Sequence, residues 1–229
     1  MAKYKEELSI LVLDGSGSMG TRDAGEAGGK TRAEAVEDAV RQLAEELNRT
    51  AVPEERYLAI IGYDQRSEPI LDPTCITDLR SKDPKYKELP PIELPPLDLS
   101  RFGGTTAIGN ALRRAREMAE TWLKGQVDIE RYVTICLLSD GFENENTEPE
   151  KVAEEIKHDR GGLKLPLNRP EILIATVAYG RDPQLQQYHE ALRNMSTEWN
   201  EQRFYGEAVN GAQLKKWLTP TIVRTQPAG

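Results

Sequence analysis

Three short clusters in this 229-residue chain gather oxygen-bearing side chains where a ligand could be met. Asp14-Gly15-Ser16-Gly17-Ser18-Met19-Gly20 follows one apolar run, and Leu138-Ser139-Asp140-Gly141 closes another. Gly103-Gly104-Thr105-Thr106 precedes a helical stretch that opens near Ala107. If the apolar runs are parallel strands, the clusters meet at the carboxyl ends of a sheet, where open α/β folds bind ligands. The carboxylates of Asp14 and Asp140 then converge with the hydroxyls of Ser16, Ser18 and Thr106, with Thr105 as the alternative to Thr106. Hard divalent cations such as Mg²⁺ take near-octahedral oxygen ligands at about 2.0–2.1 Å and keep positions for water or an outside ligand. An ion held largely by neutral hydroxyls stays electron-poor and seeks an anionic oxygen from a partner.

Other chemistries fit these residues less well. Gly15, Gly17 and Gly20 spell G-x-G-x-x-G after a strand, the dinucleotide fingerprint. In that motif the helix opens within the glycines and an acidic residue ends the next strand about 20 residues on. Here a polar loop runs to Thr31, and a carboxylate at Asp14 would repel the pyrophosphate. A phosphatase using a strand-end aspartate as nucleophile needs an acid two positions on, and position 16 is Ser. A serine nucleophile needs a base, but His158 and His189 fall in polar helical contexts and read as solvated surface residues. Ser139 and Asn144 to Asn146 read as turn residues, Thr31 and Thr147 as helix caps, and Trp122, Trp199 and Trp217 as packing residues.

The elements that must position the clusters are legible as two alternating periods. Leu8 to Leu13, Tyr57 to Tyr63, Tyr132 to Leu138 and Ile172 to Ala178 are Ile, Leu and Val-rich runs without polar alternation, as strands buried on both faces should be. Between them, Ala33, Val36, Val40, Leu43 and Leu47 follow helical spacing behind a Thr31/Glu34 capping box. Ile108, Ala111, Leu112, Ala115, Met118, Ala119 and Trp122 form a second stripe, and a third helix is predicted from Thr147. Two more are predicted around Pro183 to Met195 and Asn210 to Val223, with a short strand near Arg203 to Tyr205. This alternation predicts a doubly wound α/β domain, with a mostly parallel sheet of about six strands and helices on both faces. The chain reads as one domain over 1–229, core about 8–223, interrupted by a polar, mobile loop at 20–32 and a proline-rich excursion over about 69–102. Between Pro69 and Pro96 lie seven of the 14 prolines, which predicts extended chain after an edge strand around Glu68 to Leu71.

Composition narrows the function classes. A formal net charge of -8 offers no basic stripe for nucleic acid. No apolar run approaches the roughly 18 residues of a membrane span. Met1 to Leu8 is charged and shows no signal-peptide core, so a cytoplasmic location is expected. Cys75 and Cys136 are too few for a disulfide framework or a zinc quartet, and Cys136 reads as a buried thiol.

Asp14-x-Ser16-x-Ser18, the threonine after the Gly-Gly pair, and Asp140 before Gly141 resemble, in order and strand context, the metal-ion-dependent adhesion site of von Willebrand factor A domains. The resemblance runs from about Leu8 to Val223. It implies that Ser16, Ser18 and Thr106 are hydroxyl ligands of Mg²⁺, with Mn²⁺ or Ca²⁺ as alternatives, and that Asp14 and Asp140 act directly or through water. Thr106 is preferred because its spacing to the following helix matches the family. The resemblance further implies a non-enzymatic protein-interaction module that captures an Asp or Glu of a partner. Within the family the chain is similar to the bacterial cytoplasmic TerY group of tellurite-resistance proteins. That likeness implies a scaffold or adaptor in a stress or signalling complex with a kinase or phosphatase; the alternative is an adaptor of an AAA+ ATPase. A metal-dependent phosphatase or hydrolase is the remaining rival, and it needs a base or nucleophile that the sequence does not supply.

Overall fold

The structure is a computed structural model and describes residues 4–24, 29–86, 88–124, 129–140, 143–158, 171–180 and 186–223. Strand β1 (Tyr4–Asp14) is its axis. Leu8, Ile10 and Val12 point into one core, and Leu11 and Leu13 into the other. Helix α1 (Arg32–Asn48) follows, then β2 (Arg56–Tyr63) and β3 (Ser67–Cys75). Next come α2 (Ile108–Leu123), β4 (Ile129–Ser139), α3 (Pro149–His158), β5 (Ile172–Tyr179) and α4 (Gln186–Met195). The chain ends through β6 (Glu198–Trp199), β7 (Gln202–Arg203), β8 (Tyr205–Ala208) and α5 (Gly211–Val223).

Six strands form one sheet in the order β3-β2-β1-β4-β5-β8, with only β3 antiparallel to its neighbour. Helices α1 and α5 cover one face, where Val36, Val40, Leu43, Leu47, Leu214 and Leu218 are buried. Helices α2, α3 and α4 cover the other with residues such as Leu112, Ala115, Val152, Ile156 and Leu192. This is the doubly wound α/β architecture expected from the alternation of periods. Strand order reverses between β1 and β4, so the sheet's switch point falls beside Asp14 and Asp140. Among the described residues, no helix is long and apolar enough to cross a membrane.

Several boundaries differ from the sequence reading. Strands β1 and β4 start earlier than their apolar runs because polar residues are paired across strands. Glu6 accepts from Arg131 Nε at 2.8 Å, and Glu7 pairs with Arg56, so charged positions lengthen the sheet without breaking it. The Thr31/Glu34 capping box is present, but the third helix opens at Pro149 rather than at Thr147. Thr147 instead serves α2: its Oγ1 accepts the Gly109 N–H at 2.8 Å and donates to Glu143 Oε2 at 2.8 Å. The strand expected near Arg203 to Tyr205 is divided. Gln202–Arg203 pairs with Glu198–Trp199 in a small hairpin, turned by Asn200 and Glu201 at φ 50° and 62°, and the strand that joins the sheet begins at Tyr205. The start of the fourth helix, around Pro183, lies outside the described residues.

The proline-rich excursion is a strap across α1. After the short 3-10 turn Ile76–Leu79 it does not run on as the extended chain expected: it turns at Asp83–Tyr86 and comes back so that Arg80 and Ile92 pair antiparallel, then reaches a second 3-10 turn at Leu99–Arg101, with Ile76, Leu97 and Leu99 buried in the α1 core. Three residues on one stripe of α1 satisfy its backbone. Glu37 accepts from the Leu99 N–H, Glu45 accepts from the Ile92 N–H, and the Asn48 amide donates to the Pro90 carbonyl. The strap ends at Phe102, whose ring lies so close to β2 that a Cβ at Gly62 would sit 2.5 Å from it. A Cβ at Gly15 would meet Phe102 and the Leu99 carbonyl at 2.8 Å. Gly15 is thus a packing glycine under the strap, and after β1 a 3-10 turn Gly17–Gly20 stands where a phosphate-binding helix would open.

Gly109, in the first turn of α2, gives the sharpest test of this packing. A Cβ there would lie 2.2 Å from the Thr147 carbonyl oxygen. Alanine normally gains about 0.5–1 kcal/mol over glycine in a helix, so the sign of the effect separates packing from propensity. Gly109→Ala should lower stability in chemical denaturation by about 1–3 kcal/mol, the usual cost of overpacking. Gly20→Ala, with nothing within 4 Å, should change it by less than about 0.5 kcal/mol.

Candidate metal centre

Parallel pairing of β1 with β4 brings Asp14 next to Ser139 and Asp140. Asp14 is fully buried and its hydrogen-bond partners are all donors. Its Oδ1 accepts the Ser16 N–H at 2.8 Å, its Oδ2 accepts the Ser139 hydroxyl at 2.8 Å, and the Tyr63 hydroxyl lies 3.4 Å from Oδ2. Ser139, read from the sequence as a turn residue, therefore helps to hold the buried carboxylate. Ser18 Oγ donates to Asp140 Oδ1 at 2.7 Å, which leaves the Ser16 hydroxyl to donate to Ser18 Oγ at 3.0 Å. Ser16, Ser18 and Asp140 thus form a continuous chain of oxygens beside Asp14.

The Gly103-Gly104-Thr105-Thr106 loop closes the cluster from the side. Gly103 N–H donates to Gly15 O at 2.8 Å, and Gly17 N–H donates to Gly104 O at 3.1 Å, so the loop is laced to the β1 turn. Buried Asp64, at the end of β2, accepts the Gly104 N–H on Oδ2 at 3.2 Å, while its carbonyl accepts the Ala107 N–H at 3.0 Å. Thr106 is buried, its N–H donating to Asn144 Oδ1 at 2.6 Å and its carbonyl accepting the Asn144 N–H at 3.1 Å. Asn144, also read as a turn residue, is what fixes Thr106. Thr105 is exposed and turns its hydroxyl to Glu145. Gly141, part of the expected motif, and Phe142 after it lie outside the described residues.

Arg32 and Asp23 are the residues that motif reading missed. The stretch read as a mobile loop from Gly20 to Arg32 ends in a buried arginine, the first residue of α1. Its Nη1 donates to Asp140 Oδ2 at 2.8 Å, while Nε and Nη2 clamp both oxygens of Asp23 at 3.0 and 2.7 Å. One signal in the sequence pointed to it. A cation at the first helical position opposes the helix dipole, so its place there calls for a tertiary partner.

The electrostatics favour a cation. Burial, then the nearby charge of Asp140, pushes the Asp14 carboxyl up to about 6 despite its donors. Burial also raises Asp140, opposed by hydrogen bonds from Arg32 and Ser18. Cis oxygens around an ion bound at about 2.0–2.1 Å lie about 2.9 Å apart. The Ser16–Ser18 and Ser18–Asp140 spacings of 3.0 and 2.7 Å are hydrogen-bond lengths, and they leave these oxygens about as close together as that octahedral edge requires. Among the described residues, no group of three or more His, Cys, Asp or Glu could hold a metal, so an ion at this end of the sheet depends on hydroxyls. His158 and His189 lie on α3 and α4, where they pair with Glu154 and Glu207.

Comparisons with known proteins agree with this architecture. The von Willebrand factor type A domain family matches residues 9–143, more than half of the chain. No curated protein sequence matches. Proximal thread matrix protein 1 of the mussel byssus, in a structure described as having a zinc-occupied MIDAS motif, is similar in fold, with a TM-score of 0.59 at 18% identity over 97% of this chain. BatB from Bacteroides thetaiotaomicron matches with a TM-score of 0.59 at 16% identity, over 96% of this chain and 98% of its own. The pilus adhesin SpaC from Lactobacillus rhamnosus GG matches with a TM-score of 0.64 at 12% identity over 97% of this chain. The chain spans 46% of the byssus protein and 30% of the adhesin. With the family match running from β1 through the Asp140 cluster and the whole sheet in the doubly wound order, the chain belongs to the von Willebrand factor type A domain family.

Proposed function

We propose that this protein is a divalent-cation-dependent protein-binding module. Asp14, Ser16, Ser18, Thr106 and Asp140 would hold the ion, Mg²⁺ foremost, with Mn²⁺ or Ca²⁺ as alternatives. The observation that carries this reading is the hydrogen-bonded Ser16–Ser18–Asp140 chain of oxygens gathered beside a second buried carboxylate. Burial of Thr106, against the outward turn of Thr105 to Glu145, supports Thr106 as the threonine ligand. When bound, the ion supplies a Lewis-acidic position that a carboxylate oxygen of a partner's Asp or Glu completes. The chain's own charge of -8 repels such a partner, so the attraction has to be local.

Binding, rather than catalysis, is our reading of the same residues. The Ser18 and Ser139 hydroxyls are donated to carboxylates that hold them in place, and both histidines are paired on helices. The resemblance to the TerY group supports a scaffold or adaptor role in a bacterial cytoplasmic complex containing a kinase, a phosphatase or an AAA+ ATPase. The zinc-occupied motif of the byssus protein supports an ion at this end of the fold.

Calorimetric titration with Mg²⁺ tests the site. Wild-type protein should bind one ion, and at 100 times Kd the ion should stabilise the fold by about 2.7 kcal/mol. Asp14→Ala and Ser16→Ala should abolish both effects; unchanged affinity in either variant would overturn the assignment. Capture of a partner carrying an accessible Asp or Glu should likewise disappear in EDTA.

Proton linkage provides an independent check. The folded-state pKa of Asp14 is raised from 3.8 to about 6, so its ionised form is the disfavoured one in the fold. The metal-free protein should therefore lose stability as pH rises from about 4 to 6. A tenfold change in a proton-binding constant is worth about 1.4 kcal/mol, so Asp14→Asn should raise metal-free stability at pH 7 by on the order of 1–3 kcal/mol. Thermal unfolding in EDTA at pH 5 and 7, for wild type and variant, measures the difference.

A further inference from the structure

A cavity of about 450 Å³ opens between the first turn of α2, the segment that follows β4, and α4. Its floor is apolar, formed by the buried side chains of Ile108, Leu192 and Met195. Its rim is acidic, with Glu148 just before α3 and Glu150 in the first turn of that helix. Among the described residues, no lysine, arginine or histidine lines it. Glu148 pairs with Lys151 at 3.2 Å, an exposed contact that an incoming charge can displace at little cost. The cavity is continuous with the metal centre. Asn144 lines it, and the N–H and Oδ1 of that residue both bond to the Thr106 backbone.

Cavities of roughly 300–1,000 Å³ with an apolar body and a few convergent polar groups are the usual form of a binding site. This one is not built for a metal, since among the described residues no three His, Cys, Asp or Glu are placed to hold one. An anion is disfavoured too, because carboxylates at the mouth focus a negative potential there. The chemistry that fits is a cation on a long apolar stem, with its methylenes on the floor and its charge at the rim. A guanidinium suits it best: it pairs with carboxylates through parallel hydrogen bonds and stacks on aromatic rings, and Tyr188 forms one wall. We propose that this cavity is a second contact site for a protein partner, and that it takes an arginine side chain together with an adjoining apolar residue. A protein segment is the occupant because a partner whose Asp or Glu reached the ion would bring its neighbouring residues over this rim. With the chain at -8, a basic group there offsets the repulsion. The inference rests on the protein-binding reading above and deepens it by naming the second group that the partner presents.

Short peptides in EDTA test the cavity without the ion. The probe is the acetylated, amidated dipeptide Leu-Arg, titrated into the isotope-labelled full-length chain and followed by amide chemical shifts at neutral pH and low salt. Saturable binding is expected with a dissociation constant on the order of 1 mM. The shifts should centre on Ile108, Asn144 and Ala191. The matching Leu-Gln dipeptide lacks the charge, and n-butylguanidine lacks the peptide; each should bind roughly fivefold more weakly. Glu148→Gln combined with Glu150→Gln changes only exposed side chains and should weaken the Leu-Arg probe roughly tenfold. Ala191→Leu fills the cavity without touching its charge and should weaken the probe roughly fivefold. Equal affinity for Leu-Gln, shifts centred elsewhere, absence of saturation, or affinities within twofold of wild type in both variants overturn the proposal. Equally tight n-butylguanidine makes this a site for small cations and overturns the assignment to a protein segment. Because every titration is made in EDTA, these outcomes stand whether or not the chain binds Mg²⁺. Failure of the calorimetric Mg²⁺ titration removes the metal-site reading and leaves the cavity result unchanged.

Discussion

Two carboxylates buried side by side at the reversal of strand order are the constraint around which this end of the molecule is organised. Parallel pairing of β1 and β4 leaves Asp14 and Asp140 no choice but proximity, since the register that aligns Leu13 with Leu138 brings the next residues together. Burying a charge is costly unless it is paired and hydrogen-bonded. The surroundings respond accordingly: a backbone N–H and two hydroxyl groups face Asp14, and a hydroxyl and a guanidinium face Asp140. Even so, both acids are held above their ordinary range. A site that remains electrostatically unsettled after so many donors is one that a cation would relieve.

The loops keep those donors in place. Asp64 and Asn144 grip the backbone of the threonine loop from two sides, and backbone hydrogen bonds from Gly103 to Gly15 and from Gly17 to Gly104 hold that loop against the β1 turn. The strap contributes Phe102, wedged over Gly62 and Gly15, so that the packing of the α1 core reaches to the first residue after Asp14. The strap is in turn held by Glu37, Glu45 and Asn48 of α1, the helix that also carries Arg32. Core, strap and centre therefore share one helix.

Much of this architecture is legible in the residues alone. Continuous Ile, Leu and Val runs announce strands covered on both faces, and the Thr31/Glu34 capping box locates the start of α1. Where the reading failed, one side chain served a partner distant in sequence. Thr147 has the look of a cap for its own helix but bonds to Gly109, 38 residues earlier. Glu6 and Arg131 flank apolar runs yet extend the strands, because their charges meet across 125 residues. Ser139 and Asn144 have ordinary turn chemistry locally, and only the fold shows that they hold Asp14 and Thr106.

The amino-acid sequence by itself determined the layering of the fold, the order of its motifs and the chemical type of the candidate centre. Periodicity and residue type are local properties, and burial acts on them directly. Tertiary structure decided what depends on which oxygens face each other: that Thr106 turns inward and Thr105 outward, and that a loop read as mobile delivers a buried arginine to Asp140. Those outcomes follow from distances between strand ends and loop backbones, and such distances exist only once the sheet has set β1 beside β4.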